Sequence, residues 1–401
     1  MTSLKSVQEA AKIIRDTVIR TPLVYSPTFS RIFGAEIWLK LENLQRTGSF
    51  KLRGAAHKIL RCRNQMGPEG VVAASAGNHA QGVALAARNA GLPATIVMPE
   101  WASISKQEAT RGYGGEVLLH GRSVGESLEK ARELADQGRM FIHPFDDPDI
   151  ITGQGTIGLE IIEDLIDAQM ILVPIGGGGL ISGVALTAKS LRPDIRIIGV
   201  QAAACPSAHE SLQKGCITAT AAAASLADGI AVRQIGNLNF DIMRNYVDEV
   251  ALVEEDHIAA AILMLLERKK TLAEGAGAVP LAALLNGSVK VSPGSKVVLV
   301  ISGGNVDSPL LGRMIRKGLL KKGRIMRIRL QLEDIPGSLA RLLTLIADLR
   351  ANVLHIFHDR NIRDMPIHMT WVELDAETRG QPHIAEIRKE LEKAGYVLGE
   401  E

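Results

Sequence analysis

The sequence predicts an α/β protein, with parallel-sheet units over about residues 1–320 and a small α+β module over 325–401. Three observations carry this. Short apolar strands alternate with helix-period segments, as in a parallel sheet covered by helices. Loops rich in glycine and small polar residues follow several strands, at the end where open parallel sheets bind ligands. Composition then changes near residue 316, and a βαββα pattern follows. At 401 residues the chain exceeds one compact core and implies two or three domains.

Composition narrows the function classes. Lys and Arg number 46 against 44 Asp and Glu, which gives no electrostatic case for nucleic acid or a membrane surface. No apolar run reaches the ~18 residues of a membrane span. Cys62, Cys205 and Cys216 form no CxxC pair, as expected of reduced thiols in the cytoplasm. Aromatic content is only 3%, so aliphatic residues and glycine must fill the core.

Residues 4–16 have helical periodicity with Ser3 or Ser6 as cap, and Arg20 to Val24 turn the chain. Glu36–Leu41 is a strand, and Gly54–Cys62 a helix. The rhythm continues through strand 70–74, helix 80–90, strand 94–99, strand 116–119, helix 123–137 and strand 140–143. A second set follows the polar turn at Asp146 to Asp149: helix 153–167, strand 170–175, helix 180–191 and strand 195–201. Residues 219–224 are alanine-rich and without clear periodicity. Helices 254–269 and 277–286 then lead to strand 296–301. The basic run Arg316 to Arg324 reads as a solvated linker. Beyond it come strand 325–332, turn 334–337, helix 338–349, strands 353–359 and 367–373, helix 383–394 and a short strand at 396–398.

Four loops carry chemistry. Gly176 to Gly179 open a helix after an apolar strand; their amides suit one phosphate, or the run is only a tight turn. The next strand ends in Gly199-Val200-Gln201, without the acid a dinucleotide site needs. Lys51, within Gly48-Ser49-Phe50-Lys51-Leu52-Arg53-Gly54-Ala55, is flanked by apolar and small residues. A desolvated lysine there suits a Schiff base; an exposed lysine is the bland alternative. Ser75-Ala76-Gly77-Asn78-His79 offers a hydroxyl, an amide and backbone donors at a helix start. Asn78 serves equally as a cap, and His79 fits a supporting role better than a catalytic one. Ser302-Gly303-Gly304-Asn305 ends the last strand of the sheet. There a serine can meet a heteroaromatic nitrogen, or the run is a simple turn.

Together and in their order along the chain (the Lys51 loop, the Ser75 loop, the glycine run, then the Ser302 loop), the four loops resemble those of the pyridoxal-phosphate enzymes of the tryptophan-synthase β fold, or fold type II. The resemblance is closest to the threonine/serine dehydratase branch and spans roughly residues 5–320. It implies a two-subdomain catalytic domain, with the smaller subdomain at about 48–147. It also implies pyridoxal 5'-phosphate anchored on Lys51, with Gly176, Gly177, Gly178, Gly179 and Leu180 around the phosphate. Phe50 would pack near the ring, Asn78 face the phenolic oxygen and Ser302 meet the pyridine nitrogen. Ser75 and its loop would bind the substrate carboxylate, and Glu274 would line the pocket or cap a helix. The implied reaction is β-elimination of threonine to 2-oxobutanoate, or of serine to pyruvate, with release of ammonia. A serine-preferring dehydratase and a β-replacement synthase of the same fold are the alternatives. Ala76 stands where racemases of the group carry a second base, which disfavours racemisation. Gln201 and Ser207 stand where those relatives hold a divalent metal, so no metal is expected. Residues 325–401 resemble an ACT domain, with Leu332 to Ala340 as its motif. That implies an amino-acid effector such as isoleucine, Asn352 near it, and a homodimer or homotetramer.

Overall fold

The computed structural model describes residues 2–221, 223–360 and 366–399; residue 222 of the alanine-rich stretch lies outside them. The chain divides into two compact units, Met1–Asp307 and Ser308–Glu401, ahead of the boundary expected near 320.

In the first unit, α1 (Leu4–Ile14) starts at a capping box: Ser3 and Ser6 each accept a hydrogen bond from the other's backbone N–H. Both candidate caps are therefore used. The turn after it leads into β1 (Leu23–Tyr25), then α2 (Pro27–Phe33), β2 (Glu36–Leu41) and α3 (Lys51–Cys62). The last begins at Lys51 itself, three residues earlier than the pattern suggested. A first sheet follows: β3 (Val71–Ala74), α4 (Asn78–Ala90), β4 (Ala94–Met98), α5 (Ile104–Gly112), β5 (Glu116–Leu119), α6 (Val124–Asp136) and β6 (Met140–Phe141). Its order is β5-β4-β3-β6, all parallel.

α7 (Pro148–Asp164), capped by the Asp147 carboxylate, returns the chain to a larger sheet. The chain continues through β7 (Met170–Pro174), α8 (Gly179–Leu191), β8 (Arg196–Ala202), α9 (Ser207–Lys214), α10 (Asn237–Tyr246), β9 (Glu249–Val253), α11 (Glu255–Lys269), α12 (Gly275–Leu285) and β10 (Lys296–Ile301). The order is β1-β2-β10-β7-β8-β9, parallel except for β1 at the edge. Strands β3, β4 and β7 are buried throughout, as strands covered on both faces must be. Helices α5, α9 and α10 and strand β9 escaped the pattern; α5 buries only Thr110, while α10 buries Phe240 and Met243 and β9 buries Ala251 and Val253.

The second unit corrects one expectation. The basic run is no linker, because most of it belongs to α13 (Ser308–Lys321). Met314 is buried on this helix whereas Arg313, Arg316, Lys317 and Lys321 are exposed, with Arg316 reaching the buried Asp375. β11 (Ile325–Glu333), α14 (Ser338–Asp348), β12 (Asn352–Asp359), β13 (Met369–Glu377) and α15 (Gln381–Lys393) follow. They form an antiparallel sheet in the order β11-β13-β12. From Met326 onward β11 alternates, with Met326, Ile328, Leu330 and Leu332 buried and Arg327 and Arg329 outside. The short strand expected at 396–398 is reduced to a single bridge between Leu330 and Leu398.

Candidate active site

A cleft of about 910 Å³ lies in the first unit, where loops from the carboxyl ends of both sheets converge. It gathers Phe50, Lys51, Ser75, Asn78, Gly176 to Gly179, Leu180, Glu274 and Ser302 from separate stretches of sequence. Parallel strands cause this, because every strand-end loop leaves on the same side.

Lys51 is held from two directions. The Phe50 amide donates to the Ser302 carbonyl at 3.1 Å, and Ser49 bridges to Gly303, so the loop before the lysine is stitched to the end of β10. Gly48 has φ +71°, a left-handed conformation that favours glycine, and a Cβ there would also displace the Asn305 side-chain amide. Behind Lys51, Arg53 is fully buried and reaches Glu42 and Glu160, while Lys40 also reaches Glu160. Burial lowers the Arg53 pKa, but the two carboxylates outweigh it and raise it overall. This closed set of charges fixes the first turn of α3. Lys51 Nζ donates to the Pro144 carbonyl at 2.8 Å. Burial pulls its ammonium down to about 8, against the attraction of Glu274.

The glycine loop leads into the N-terminus of α8. Gly178 adopts φ +98°, and a Cβ there would lie 2.7 Å from Asn239 Cβ. At Gly177 a Cβ would meet the Phe145 ring at 2.3 Å. Asn239 Nδ2 secures the loop by donating to the Gly177 and Phe145 carbonyls. Among the described residues, none of the backbone N–H groups from Gly176 to Leu180 finds an acceptor. A glycine cradle with free amides at a helix N-terminus fits a phosphate dianion, and a half-buried lysine of lowered pKa fits an aldehyde.

Asn78 is the first residue of α4 and does not cap it; Gly77 holds that position without a side-chain bond. The Asn78 amide donates to Glu274 Oε1 at 2.7 Å and accepts from Asn305 Nδ2 at 2.7 Å. Glu274 sits at the cap position of α12, but its carboxylate makes no capping bond and turns into the cleft. Burial pushes it up to about 8, helped by Asp228 and opposed by Asn78, Lys106 and Lys51. Ser75 Oγ accepts from the Gly77 amide at 3.1 Å, which shapes the turn. Ser302 is buried at the cleft wall. His79 has Nε2 2.9 Å from the Ile142 carbonyl; burial, then Lys51, lower its pKa to about 3, a supporting environment. Gln201 and Ser207 serve the protein itself, since Gln201 Oε1 accepts from the Ala208 and His209 amides that open α9.

His143, Asp228 and Lys106 also line the cleft and were not singled out from the sequence. For His143 a signal existed: it follows strand β6 just as Ser75 follows β3.

The profile of the family described as pyridoxal-phosphate dependent enzyme matches residues 14–303. The L-threonine ammonia-lyase of Thermotoga maritima is 49% identical over 99% of this chain and 99% of its own. That of Geobacter sulfurreducens is 50% identical over 98% of each chain. Among solved structures, the processed form of threonine deaminase isoform 2 from Solanum lycopersicum superposes with a TM-score of 0.74 at 36% identity, covering 78% of this chain and 87% of its own.

Proposed function

The chain belongs to the pyridoxal-phosphate-dependent enzymes of fold type II, and on that premise we propose that it is an L-threonine ammonia-lyase. It converts L-threonine to 2-oxobutanoate and ammonia, and L-serine to pyruvate and ammonia. The observation that carries this is the half-buried Lys51, which lines one cleft together with the glycine cradle and the Ser75–Asn78 turn.

Gly176 to Gly179 and Leu180 would hold the cofactor phosphate, Lys51 its aldehyde carbon, Asn78 its phenolic oxygen and Ser302 its ring nitrogen, with Phe50 beside the ring. When bound, pyridoxal phosphate supplies the electron sink for the pair left on Cα. Ser75 and the first-turn amides of α4 bind the substrate carboxylate and so orient Cα–H toward Lys51. Lys51 Nζ, neutral at a mildly alkaline pH because it is desolvated, takes the Cα proton. Ala76 has no group that exchanges a proton, so the opposite face of Cα lacks a base from this turn. The β-hydroxyl departs with one proton as water, which balances the proton Lys51 takes from Cα, and hydrolysis of the resulting enamine consumes one water and releases ammonia. A serine side chain at the ring nitrogen, rather than a carboxylate, favours elimination over transamination.

The test is oxo-acid formation from L-threonine by the cofactor-loaded protein, with Lys51→Ala beside it. Threonine is turned over by the wild type, and the variant loses at least about a thousandfold in kcat together with the lysine-dependent visible band. A loaded wild type that leaves threonine untouched overturns the assignment.

For the second unit we propose an ACT domain that binds an amino-acid effector such as isoleucine within a homodimer or homotetramer. Supporting this, Gly337, at φ +89°, opens α14 with its first-turn amides at the end of the Leu332–Gly337 turn. Asn352 stands at the start of β12, where its amide donates to Glu377. A cytoplasmic location accords with three free cysteines, of which Cys62 and Cys205 are buried. Among the described residues no helix is long and apolar enough to cross a membrane.

A further inference from the structure

The loop between β6 and α7 carries His143, which the reaction scheme above does not use. Its Nδ1 lies 3.2 Å from the Phe145 amide and 2.7 Å from the Asp146 amide. A backbone N–H only donates, so Nδ1 must present its lone pair and the ring proton must be on Nε2. The ring is clasped edge-on by Phe141 at 6.0 Å and Phe145 at 4.8 Å, which limits its rotation. Burial lowers the imidazole pKa and the charge of Lys51 adds to this, against Asp146 and Asp147, so the neutral form is favoured. Nε2 has no hydrogen-bond partner among the described residues, and the side chain lines the cleft.

Its place in the sheet says what this donor faces. β6 is the parallel neighbour of β3, so the loops of His143 and Ser75 leave adjoining strand ends. The next residue, Pro144, holds Lys51 Nζ through its carbonyl. The nearby carboxylate of Asp146 is engaged elsewhere, by the Asn237 and Leu238 amides that open α10. This rim of the cleft therefore offers the Nε2–H and the first-turn amides of α4, a set of donors suited to an anion with two oxygens.

We propose that His143 is a substrate-binding residue whose Nε2–H donates to the carboxylate of the bound amino acid, beside the Ser75–Asn78 turn. The proposal rests on the amino-acid lyase reading and adds a contact to it. The Phe145 and Asp146 amides lock the tautomer, so the donor is in place before substrate arrives.

Two variants separate the two edges of the ring. His143→Asn keeps an acceptor at the Nδ1 position and removes the distal donor; His143→Gln keeps a distal N–H and gives up the acceptor. Calorimetry of the cofactor-loaded protein with L-2-aminobutyrate, which has the carboxylate but no β-hydroxyl, reads binding alone and is decided whether or not threonine is turned over. His143→Asn should weaken that binding by at least about tenfold, the scale of a hydrogen bond to a charged group, and should raise KM for threonine more than it lowers kcat. His143→Gln should recover part of the affinity. Nitrogen-15 shifts of the wild-type imidazole should report the Nε2–H tautomer. Binding by His143→Asn within twofold of wild type overturns the proposal, as does an Nδ1–H tautomer. A loss confined to threonine, with aminobutyrate binding unchanged, moves the contact to the β-hydroxyl and overturns the carboxylate assignment.

Discussion

Lys51 and Glu274 show how one cleft moves two ionisable groups toward the same pH from opposite sides. Burial disfavours both charges, lowering the ammonium to about 8 and raising the carboxyl to about 8. For Glu274 the consequence is a stability that depends on pH with a definite sign. Between 4.5 and about 8 the unfolded chain has released this proton while the folded chain keeps it. The folded state binds more protons there, so stability falls as pH rises through that window. Glu274→Gln removes the effect. In the cofactor-free protein, the stability of wild type relative to Glu274→Gln should drop by on the order of a few kcal/mol from pH 5 to pH 8. Denaturant midpoints at the two pH values measure it, and parallel behaviour of the two proteins would show that Glu274 ionises normally.

At the scale of elements, the glycine loop and the helix it opens act as one device. Gly178 is left-handed and pressed against Asn239, so an alanine there meets both a backbone penalty and a clash. Gly178→Ala should destabilise the protein by about 1–3 kcal/mol and weaken pyridoxal-phosphate affinity at least about tenfold, because the loop amides must shift. Equilibrium dialysis of the cofactor and a thermal melt check both; unchanged cofactor affinity would mean that the loop amides are not the phosphate cradle. Elements also differ in how legible they were. β2, β5 and β10 match their sequence ranges because apolar strands bounded by turns leave little choice of register. α13 was misread because Arg316, Lys317, Lys321 and Lys322 drew attention to charge, while its inward contribution is small.

Over the whole molecule, the two units have separate cores: in Met1–Asp307 each sheet packs its own buried clusters, and Ser308–Glu401 has another. If the second unit senses an amino acid, the effector must favour one functional state over another by its own differential affinity. Isoleucine should then change kcat/KM for threonine in the full chain about five- to a hundredfold, and Asn352→Ala should blunt that response while leaving turnover without effector within twofold. Steady-state kinetics with and without isoleucine decide it. A full-length enzyme indifferent to isoleucine and to the other amino acids removes the sensing role and leaves subunit pairing as the reading for this unit.

Much of the protein was legible before any coordinate, for physical reasons. Strand and helix alternation dictates a parallel sheet, and parallel sheets send their loops to one end, so Lys51, Ser75, the glycine run and Ser302 could be grouped from their positions after strands. β1 runs against its neighbour, which the turn chemistry alone did not reveal, because an edge strand of three residues carries too little pattern. Partners were not legible either. That Asn78 spends its amide on Glu274 and Asn305, residues about 200 positions away, depends on how two sheets face each other. The same holds for His143: its place after a strand was visible in the sequence, but its contacts with the Phe145 and Asp146 amides were not. By itself the sequence determined which loops carry the chemistry, since backbone geometry and hydrophobic period are local. Only the tertiary structure decided protonation and tautomer, since burial, distant charges and two backbone amides set them, and those come together only when the chain has folded.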